Sequence, residues 1–309
     1  MSDFQAVSTD LLFSRRDPLD RRRGEQVKVA DLKSASTAGC VIAGYPDDEG
    51  IRNNKGRPGS AKGPDAIRQF LYKMVETPGA LYDFGNLKHE KSLANRHESV
   101  RGLVGSALKN GHRWIGLGGG HDYGYADGAG FLDWSEKKPI IINFDAHLDV
   151  REPSIEINSG TPFYRLHKLG KPFDLVQIGI QRQCNSLHHL NWAREHGQMV
   201  LTLEDYWSSH VSLDEFMIRQ MGDLLLSKRP CFLSVDIDAF AWPYAIGASQ
   251  SWPTGLEPKE FFPCFEILCE RLDVRVLGIY ETSPPLELES GTSKLSALIA
   301  DAFIRKAKS

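Results

Sequence analysis

The sequence predicts an α/β fold: one domain of three layers (αβα), in which helices cover both faces of a central, mostly parallel sheet. About eight apolar segments of strand length alternate with segments of helical periodicity. Several of the apolar segments, such as PIIINF and CFLSV, are too continuously apolar to leave one face in water. No Pro/Gly/Ser-rich linker interrupts the alternation, so residues 39–309 are predicted to form a single domain after an irregular N-terminal segment, 1–38.

The predicted elements follow one another in a regular order. CVIAGYP is the first buried strand, and GPDAIRQFLYKM is a helix whose apolar residues share one face. The strand segments ALYDFGN, RWIGLGGG, PIIINFDAH, DLVQIGI, QMVLTL, CFLSVDID and VRVLGIYE then alternate with helical segments. In a parallel sheet the carboxyl ends of the strands lie along one edge, where ligands bind. Side chains that follow different strands are therefore expected to meet there.

The composition indicates an ordinary globular protein with a small-molecule partner. A net charge of −3 over 309 residues gives no global field that would attract nucleic acid. The five cysteines are odd in number and widely scattered, which favours reduced thiols over a disulfide framework. Neither a signal-peptide core nor a stretch of roughly 20 apolar residues is found, so we expect no membrane partner and a cytoplasmic protein.

Metal-ligand residues follow three of the predicted strands. They are His121 after RWIGLGGG, then Asp145, His147 and Asp149 after PIIINF, and Asp236 and Asp238 after CFLSV. Each one alone is commonly a helix cap or a turn residue. Together they place four carboxylates at one sheet edge, where they repel one another unless cations neutralise them. Two imidazoles, four carboxylates and no thiolate favour Mn²⁺, with nickel, cobalt or zinc as alternatives. Six ligands shared between two ions leave room for a bridging water, which predicts a two-metal hydrolytic site.

At these residues the chain resembles a known superfamily. GGGHD, NFDAHLD, SVDID and YETSP are similar to the signature motifs of the ureohydrolases, which comprise arginases, agmatinases and formimidoylglutamases. The resemblance spans nearly the whole chain from CVIAGYP onward. It implies an α/β fold with a central eight-stranded parallel sheet, a dimanganese centre held by the same six residues, and a homo-oligomer, either a trimer or a hexamer.

The resemblance also implies the chemistry. A hydroxide that bridges the two ions would attack the carbon of a guanidinium or amidinium group and break a C–N bond. Asp149 resembles the ligand that passes the proton to the departing amine. Glu281 matches the carboxylate that grips the cationic end of the substrate.

Two departures from the arginase pattern indicate the formimidoylglutamase branch, whose members convert N-formimidoyl-L-glutamate and water to L-glutamate and formamide in histidine breakdown. Arg151 stands where arginases carry Asn, and Phe163 where they carry a proton-shuttling His. An arginine fork suits a carboxylate. Arg151 is therefore the first candidate for binding the substrate carboxylates, with Thr161 and Arg57 as further candidates.

Two alternatives remain open from the sequence. One is a guanidine-type ureohydrolase, such as an agmatinase, a guanidino-acid hydrolase or an arginase, which would release urea. The other is a catalytically silent metal-binding protein on the same fold. The segment DIDAFAWPYAIGASQSWPTGL departs from the usual family pattern, and its Trp242, Tyr244 and Trp252 belong either to the rim of the site or to the core. Asp122 and Asp127 either support the first ligand or act as helix-start acids.

Overall fold

A computed structural model describes residues 3–153 and 156–306. The strands are β1 (Phe4–Gln5), β2 (Lys28–Val29), β3 (Cys40–Gly44), β4 (Leu81–Leu87), β5 (Arg113–Leu117), β6 (Ile140–Phe144), β7 (Asp174–Ile180), β8 (Met199–Thr202), β9 (Pro230–Asp236) and β10 (Asp273–Tyr280). The helices are α1 (Arg23–Gln26), α2 (Glu49–Asn53), α3 (Gly63–Leu71), α4 (Leu93–Lys109), α5 (Tyr123–Trp134), α6 (Pro162–Lys168), α7 (Leu187–Glu195), α8 (Leu203–Ser209), α9 (Leu213–Met221), α10 (Pro258–Arg271) and α11 (Gly291–Arg305).

The strands form one sheet in the order β1-β4-β3-β5-β10-β9-β6-β7-β8, and β2 also pairs with β4. All pairings among β3 to β10 are parallel. The predicted α/β fold with an eight-stranded parallel sheet is therefore confirmed. Two further strands come from the segment that was predicted to be irregular, and β1 pairs antiparallel with β4. Each has only two residues, which is too short to show a periodicity in the sequence.

The sheet is buried on both faces, as the continuously apolar strand sequences predict. Along β6, Ile140, Ile142 and Phe144 belong to one apolar cluster, and Ile141 belongs to the cluster on the opposite face. The first cluster includes apolar residues of α3, α9, α10 and α11, and the second includes those of α4, α5, α6 and α7. Alternate residues of a strand point to opposite faces, so both clusters cover the sheet and the molecule has three layers.

The strand order positions the candidate site. Four adjacent strands, β5-β10-β9-β6, are the ones after which the predicted ligands and Glu281 occur. Because all four strands are parallel, their carboxyl ends lie side by side at one edge of the sheet. In register, Tyr280 of β10 lies opposite Asp236 of β9. The predicted metal ligands therefore lie at the sheet edge where the sequence analysis expects them. No helix within the described residues is long and apolar enough to cross a bilayer.

Candidate metal centre and active site

The glycine-rich turn after β5 fixes the position of His121. The Gly118 N–H donates to the Ile279 carbonyl (2.7 Å), the Gly119 N–H donates to the Tyr45 carbonyl (2.8 Å), and the Gly119 carbonyl accepts from the Glu281 N–H (2.9 Å). A Cβ atom added at Gly119 would lie 1.7 Å from the carbonyl oxygen of Asp47, so only glycine fits this turn. The turn therefore delivers His121 between the ends of β5 and β10.

His121 is the centre of a first group of ligand atoms. Its Nδ1 atom lies 3.1 Å from Asp145 Oδ2, 3.0 Å from Asp149 Oδ2 and 3.2 Å from Asp236 Oδ2. Nδ1 is buried, yet none of these oxygens is placed to accept a hydrogen bond from it. The other ring nitrogen, Nε2, lies 2.9 Å from Ser234 Oγ, which can accept its proton and leave Nδ1 as a free ligand nitrogen. Four ligand atoms that converge without hydrogen bonding to one another suit a cation between them.

His147 and Asp238 form a second group with the same Asp145. His147 Nδ1 lies 3.2 Å from Asp238 Oδ2 and 3.4 Å from Asp145 Oδ1. Asp145 therefore turns one carboxylate oxygen to each group, and its Oδ1 also accepts from the His147 N–H (2.7 Å). The ligand atoms of each group lie within 4.8 Å of one another. All six predicted ligands are thus brought together in two groups that share one carboxylate, as a pair of ions requires.

Charge repulsion within the site shows that the residues fit divalent cations. Burial and the adjacent Asp238 carboxylate raise the pKa of Asp236 well above its ordinary value. Burial and Asp145 raise the pKa of Asp149 to about 6. Asp238 Oδ1 is buried without a hydrogen-bond partner among the described residues. Crowded carboxylates of this kind remain ionised where bound cations neutralise them, and oxygen-rich sets with imidazole suit Mn²⁺.

Two residues of the site have backbone conformations that non-glycine residues rarely adopt. Asp149 has φ of 50° and Glu281 has φ of 66°. Such conformations cost about 1–3 kcal/mol each and persist where the surrounding structure enforces them, commonly at functional sites. Glu281 Oε1 accepts from the His121 N–H (3.1 Å), which holds the carboxylate next to the first ligand group. Burial and the Asp236 carboxylate raise the pKa of Glu281 well above its ordinary value.

A cavity of about 220 Å³ opens beside the two ligand groups. Acidic and ligand residues line its inner part, namely His147, Asp149, Asp236, Asp238 and Glu281. Its outer part is lined by amide, hydroxyl and basic side chains, namely Asn54, Arg151, Ser159, Asn185, His189, Ser249 and Gln250. The cavity therefore has buried carboxylates beside the ligand groups and the guanidinium of the exposed Arg151 towards solvent.

Of the three predicted carboxylate-binding residues, Arg151, Thr161 and Arg57, only Arg151 lines this cavity, and Phe163 does not line it either. Thr161 is buried, and its hydroxyl donates to the Asn158 carbonyl (2.6 Å). Phe163 is buried and packs edge-on against the His121 ring, with the ring centroids 5.6 Å apart. The guanidinium of Arg57 donates to the carbonyls of Ala248 (2.9 Å) and Ser249 (3.0 Å). Thr161, Phe163 and Arg57 therefore do not line the cavity in this structure, where each one contacts a loop or a ligand residue, and their role as substrate contacts stays a prediction.

The structure also shows where the residues lie whose roles the sequence left undecided. Trp242, Tyr244 and Trp252 are exposed and line no part of the cavity, so they belong neither to the core nor to the wall of the site. Asp122 is buried 2.8 Å from His97 Nε2. Asp127 is buried and accepts from the hydroxyls of Tyr45 and Tyr280, both at 2.6 Å. Since the Tyr280 ring stacks on His121 at 4.8 Å, Asp127 supports the first ligand through Tyr280.

Sequence reasoning missed two residues that follow β7, the strand adjacent to β6. Asn185 donates to the carbonyls of Ala146 (2.9 Å) and Gln181 (2.8 Å), and its Oδ1 accepts from the Leu148 N–H (2.9 Å). It thereby ties down the loop that carries the ligands from Asp145 to Asp149. His189 lies in the first turn of α7 and lines the outer cavity. The available signal was the position of both residues after a strand predicted to end at the same sheet edge.

Comparison with known proteins gives consistent results. A model of the arginase family matches residues 38–305. Formimidoylglutamase of Hahella chejuensis is 33% identical, with 97% of this chain and 96% of that protein covered, and the Legionella pneumophila Philadelphia 1 enzyme of the same name is 32% identical over the same shares. The crystal structure of Trypanosoma cruzi formiminoglutamase with Mn²⁺ superposes with a TM-score of 0.80 at 26% identity, covering 93% of this chain and 98% of that one. Bacillus subtilis formimidoylglutamase superposes with a TM-score of 0.83 at 21% identity, covering 96% and 95%, which is a likeness of fold.

Proposed function

Since this chain belongs to the arginase family, we propose that it hydrolyses an amidine C–N bond of N-formimidoyl-L-glutamate, giving L-glutamate and formamide, at a centre of two Mn²⁺ ions. The family resemblance predicted from the motifs is confirmed by the match over residues 38–305. Relatives that share about a third of their residues over almost the whole chain carry this activity in their names, which supports the proposal.

The charge distribution of the cavity is the observation that carries the choice of substrate. N-formimidoyl-L-glutamate has a cationic amidinium at one end and two carboxylates. Glu281 lies at the inner end of the cavity beside the ligand groups, and Arg151 lies at the outer part. A charge-assisted hydrogen bond to a carboxylate can form at Arg151 and one to the amidinium at Glu281. Agmatine has an amine and no carboxylate, and arginine has an amine beside its single carboxylate. Both therefore fit the basic part of the cavity less well.

The six ligands would hold the ions in the two groups that Asp145 joins. Two bound ions supply a nucleophilic water of lowered pKa and stabilise the negative charge that develops in the transition state. The Glu281 carboxylate accepts hydrogen bonds from the amidinium and orients its carbon towards the ligand groups. The Asp149 carboxylate takes a proton from the attacking water and passes it to the departing α-amino nitrogen of glutamate. Formamide and glutamate then account for all the atoms of substrate and water.

Product analysis tests this function. Purified protein loaded with Mn²⁺ is expected to release formamide and L-glutamate in equal amounts from N-formimidoyl-L-glutamate, as measured by chromatography. Release of urea from arginine, agmatine or 4-guanidinobutyrate, with no formamide from the amidine, would contradict the substrate and favour a guanidine hydrolase. No product from any of these compounds would favour a silent metal-binding protein.

The family resemblance also supports three statements about the whole protein. We propose that it acts in the cytoplasm, that it assembles as a trimer or hexamer of identical chains, and that residues 39–309 form its single domain.

A further inference from the structure

Two basic residues that are not among the predicted metal ligands line the cavity. They are Arg151, which follows the ligand loop, and His189, in the first turn of α7. The remaining residues of this wall carry amide, hydroxyl, thiol or apolar side chains or are glycines, and none is an arginine or a lysine. The proposed substrate has two carboxylates, and one arginine fork accommodates one of them. The second carboxylate needs another donor on the same wall.

The hydrogen bonds of Arg151 leave most of its donors available. Its Nη1 donates to Asn54 Oδ1, and Asn54 in turn donates to Ser159 Oγ (3.0 Å). Nε and Nη2 make no hydrogen bond to any residue in the described ranges 3–153 and 156–306. Asn54 therefore orients the guanidinium from one side, and the other donors of the fork remain free for a ligand. Since Asn54 acts through Arg151, we regard it as a positioning residue.

His189 is placed to bind a second anion. Its backbone N–H donates to the Ser186 side chain (3.2 Å), which fixes it in the first turn of the nine-residue helix α7. Its imidazole makes no hydrogen bond or ion pair with the residues that the structure describes. Burial lowers the pKa of His189, and the nearby Arg151 and His188 lower it further. A carboxylate bound to each of the two residues would offset this repulsion, and the positive end of the helix dipole also favours an anion at His189.

We propose that Arg151 and His189 form a two-part carboxylate subsite, in which each residue binds one of the two carboxylates of the substrate. This inference rests on the proposed function, because it assumes a substrate with two carboxylates. The subsite would determine specificity separately from the ligand groups and Glu281. A compound with an amine in place of either carboxylate would place a positive charge next to Arg151 or His189. The subsite would therefore select amidines of dicarboxylic amino acids.

A crossed comparison of variants and substrates tests the subsite. His189→Ala and Arg151→Ala are assayed with N-formimidoyl-L-glutamate and with its two monoamides, N-formimidoyl-L-glutamine and N-formimidoyl-L-isoglutamine. Loss of a hydrogen bond to a charged group is expected to raise KM for the parent substrate about 10-fold to 100-fold in each variant, with a much smaller change in kcat. For each variant, the rise in KM relative to the wild type should be absent with one monoamide and present with the other. The monoamide that abolishes the rise should differ between the two variants.

Arg194→Ala is the matched control, since Arg194 is an exposed residue of the same helix whose side chain lines no part of the cavity and makes no hydrogen bond or ion pair with the described residues. Its KM should equal that of the wild type for all three substrates. Unchanged KM in His189→Ala, an equal penalty on both monoamides, or the same pattern in both variants would overturn the subsite while leaving the proposed function intact. A wild-type protein that releases no formamide from N-formimidoyl-L-glutamate would overturn the proposed function, and the subsite with it.

Discussion

Replacing Asp145 by alanine is expected to leave fewer than two Mn²⁺ ions per chain and to lower activity by roughly 10³-fold or more. The reason is geometric. Asp145 is the one residue that belongs to both groups of ligand atoms, with Oδ2 facing His121 and Oδ1 facing His147. Its removal takes one ligand from each ion. Metal content by mass spectrometry and the rate of formamide release measure the two effects on the same preparation.

The control for Asp145 is Asp174→Ala. Asp174 is a carboxylate at the start of β7, on the opposite edge of the sheet, and it pairs with Lys138 and Arg229. This variant is expected to keep two ions and full activity, since partly exposed ion pairs contribute about 0–1 kcal/mol of stability. An Asp145→Ala protein that still binds two ions and turns over normally would show that the two groups do not share this ligand.

Replacing Glu281 by glutamine is expected to lower kcat/KM by roughly 10²-fold to 10³-fold while two ions remain bound. Glutamine preserves the size of the side chain but removes the charge that holds the amidinium. The His121 N–H, at 3.1 Å from Oε1, can still donate to the amide oxygen, so the turn that carries His121 should be retained. The expected pattern of intact metal content with lost turnover distinguishes a substrate-binding carboxylate from a metal ligand.

Glu289→Gln is the control, because Glu289 is exposed and its side chain makes no hydrogen bond or ion pair with the described residues. It should behave as the wild type. Loss of an ion in Glu281→Gln would place Glu281 among the metal ligands, and unchanged kcat/KM would remove it from the active site.

The metal residues could be predicted because their signal is local. Asp145, His147 and Asp149 alternate directly after a buried strand, and Asp236 and Asp238 follow another strand in the same way. Aspartate is unfavourable in such positions unless it has a function, and a parallel sheet brings strand ends to one edge. The apolar strand segments predicted that sheet. The structure adds the order β5-β10-β9-β6, which makes the four strands neighbours and which no local pattern contains.

The supporting residues could not be predicted because their roles depend on contacts between distant segments. Arg57 has a side chain suited to a carboxylate, but it donates to the carbonyls of Ala248 and Ser249, which only the folded chain places beside it. Phe163 lies near the ligands in sequence and in space, yet it packs against the His121 ring and does not line the cavity. Asn185 and His189 were overlooked since a polar residue before or within a helix has no distinctive pattern. Their position at the site follows from β7 lying next to β6.

Titration of the metal-free protein with Mn²⁺ tests the central claim most directly. The protein is stripped with a chelator, and formamide release from N-formimidoyl-L-glutamate is followed as Mn²⁺ is restored. Because the structure has two groups of ligand atoms joined by Asp145, activity is expected to be absent after chelation and to reach its plateau at two ions per chain. Full activity at one ion per chain, or activity that survives complete removal of metal, would contradict the two-ion account.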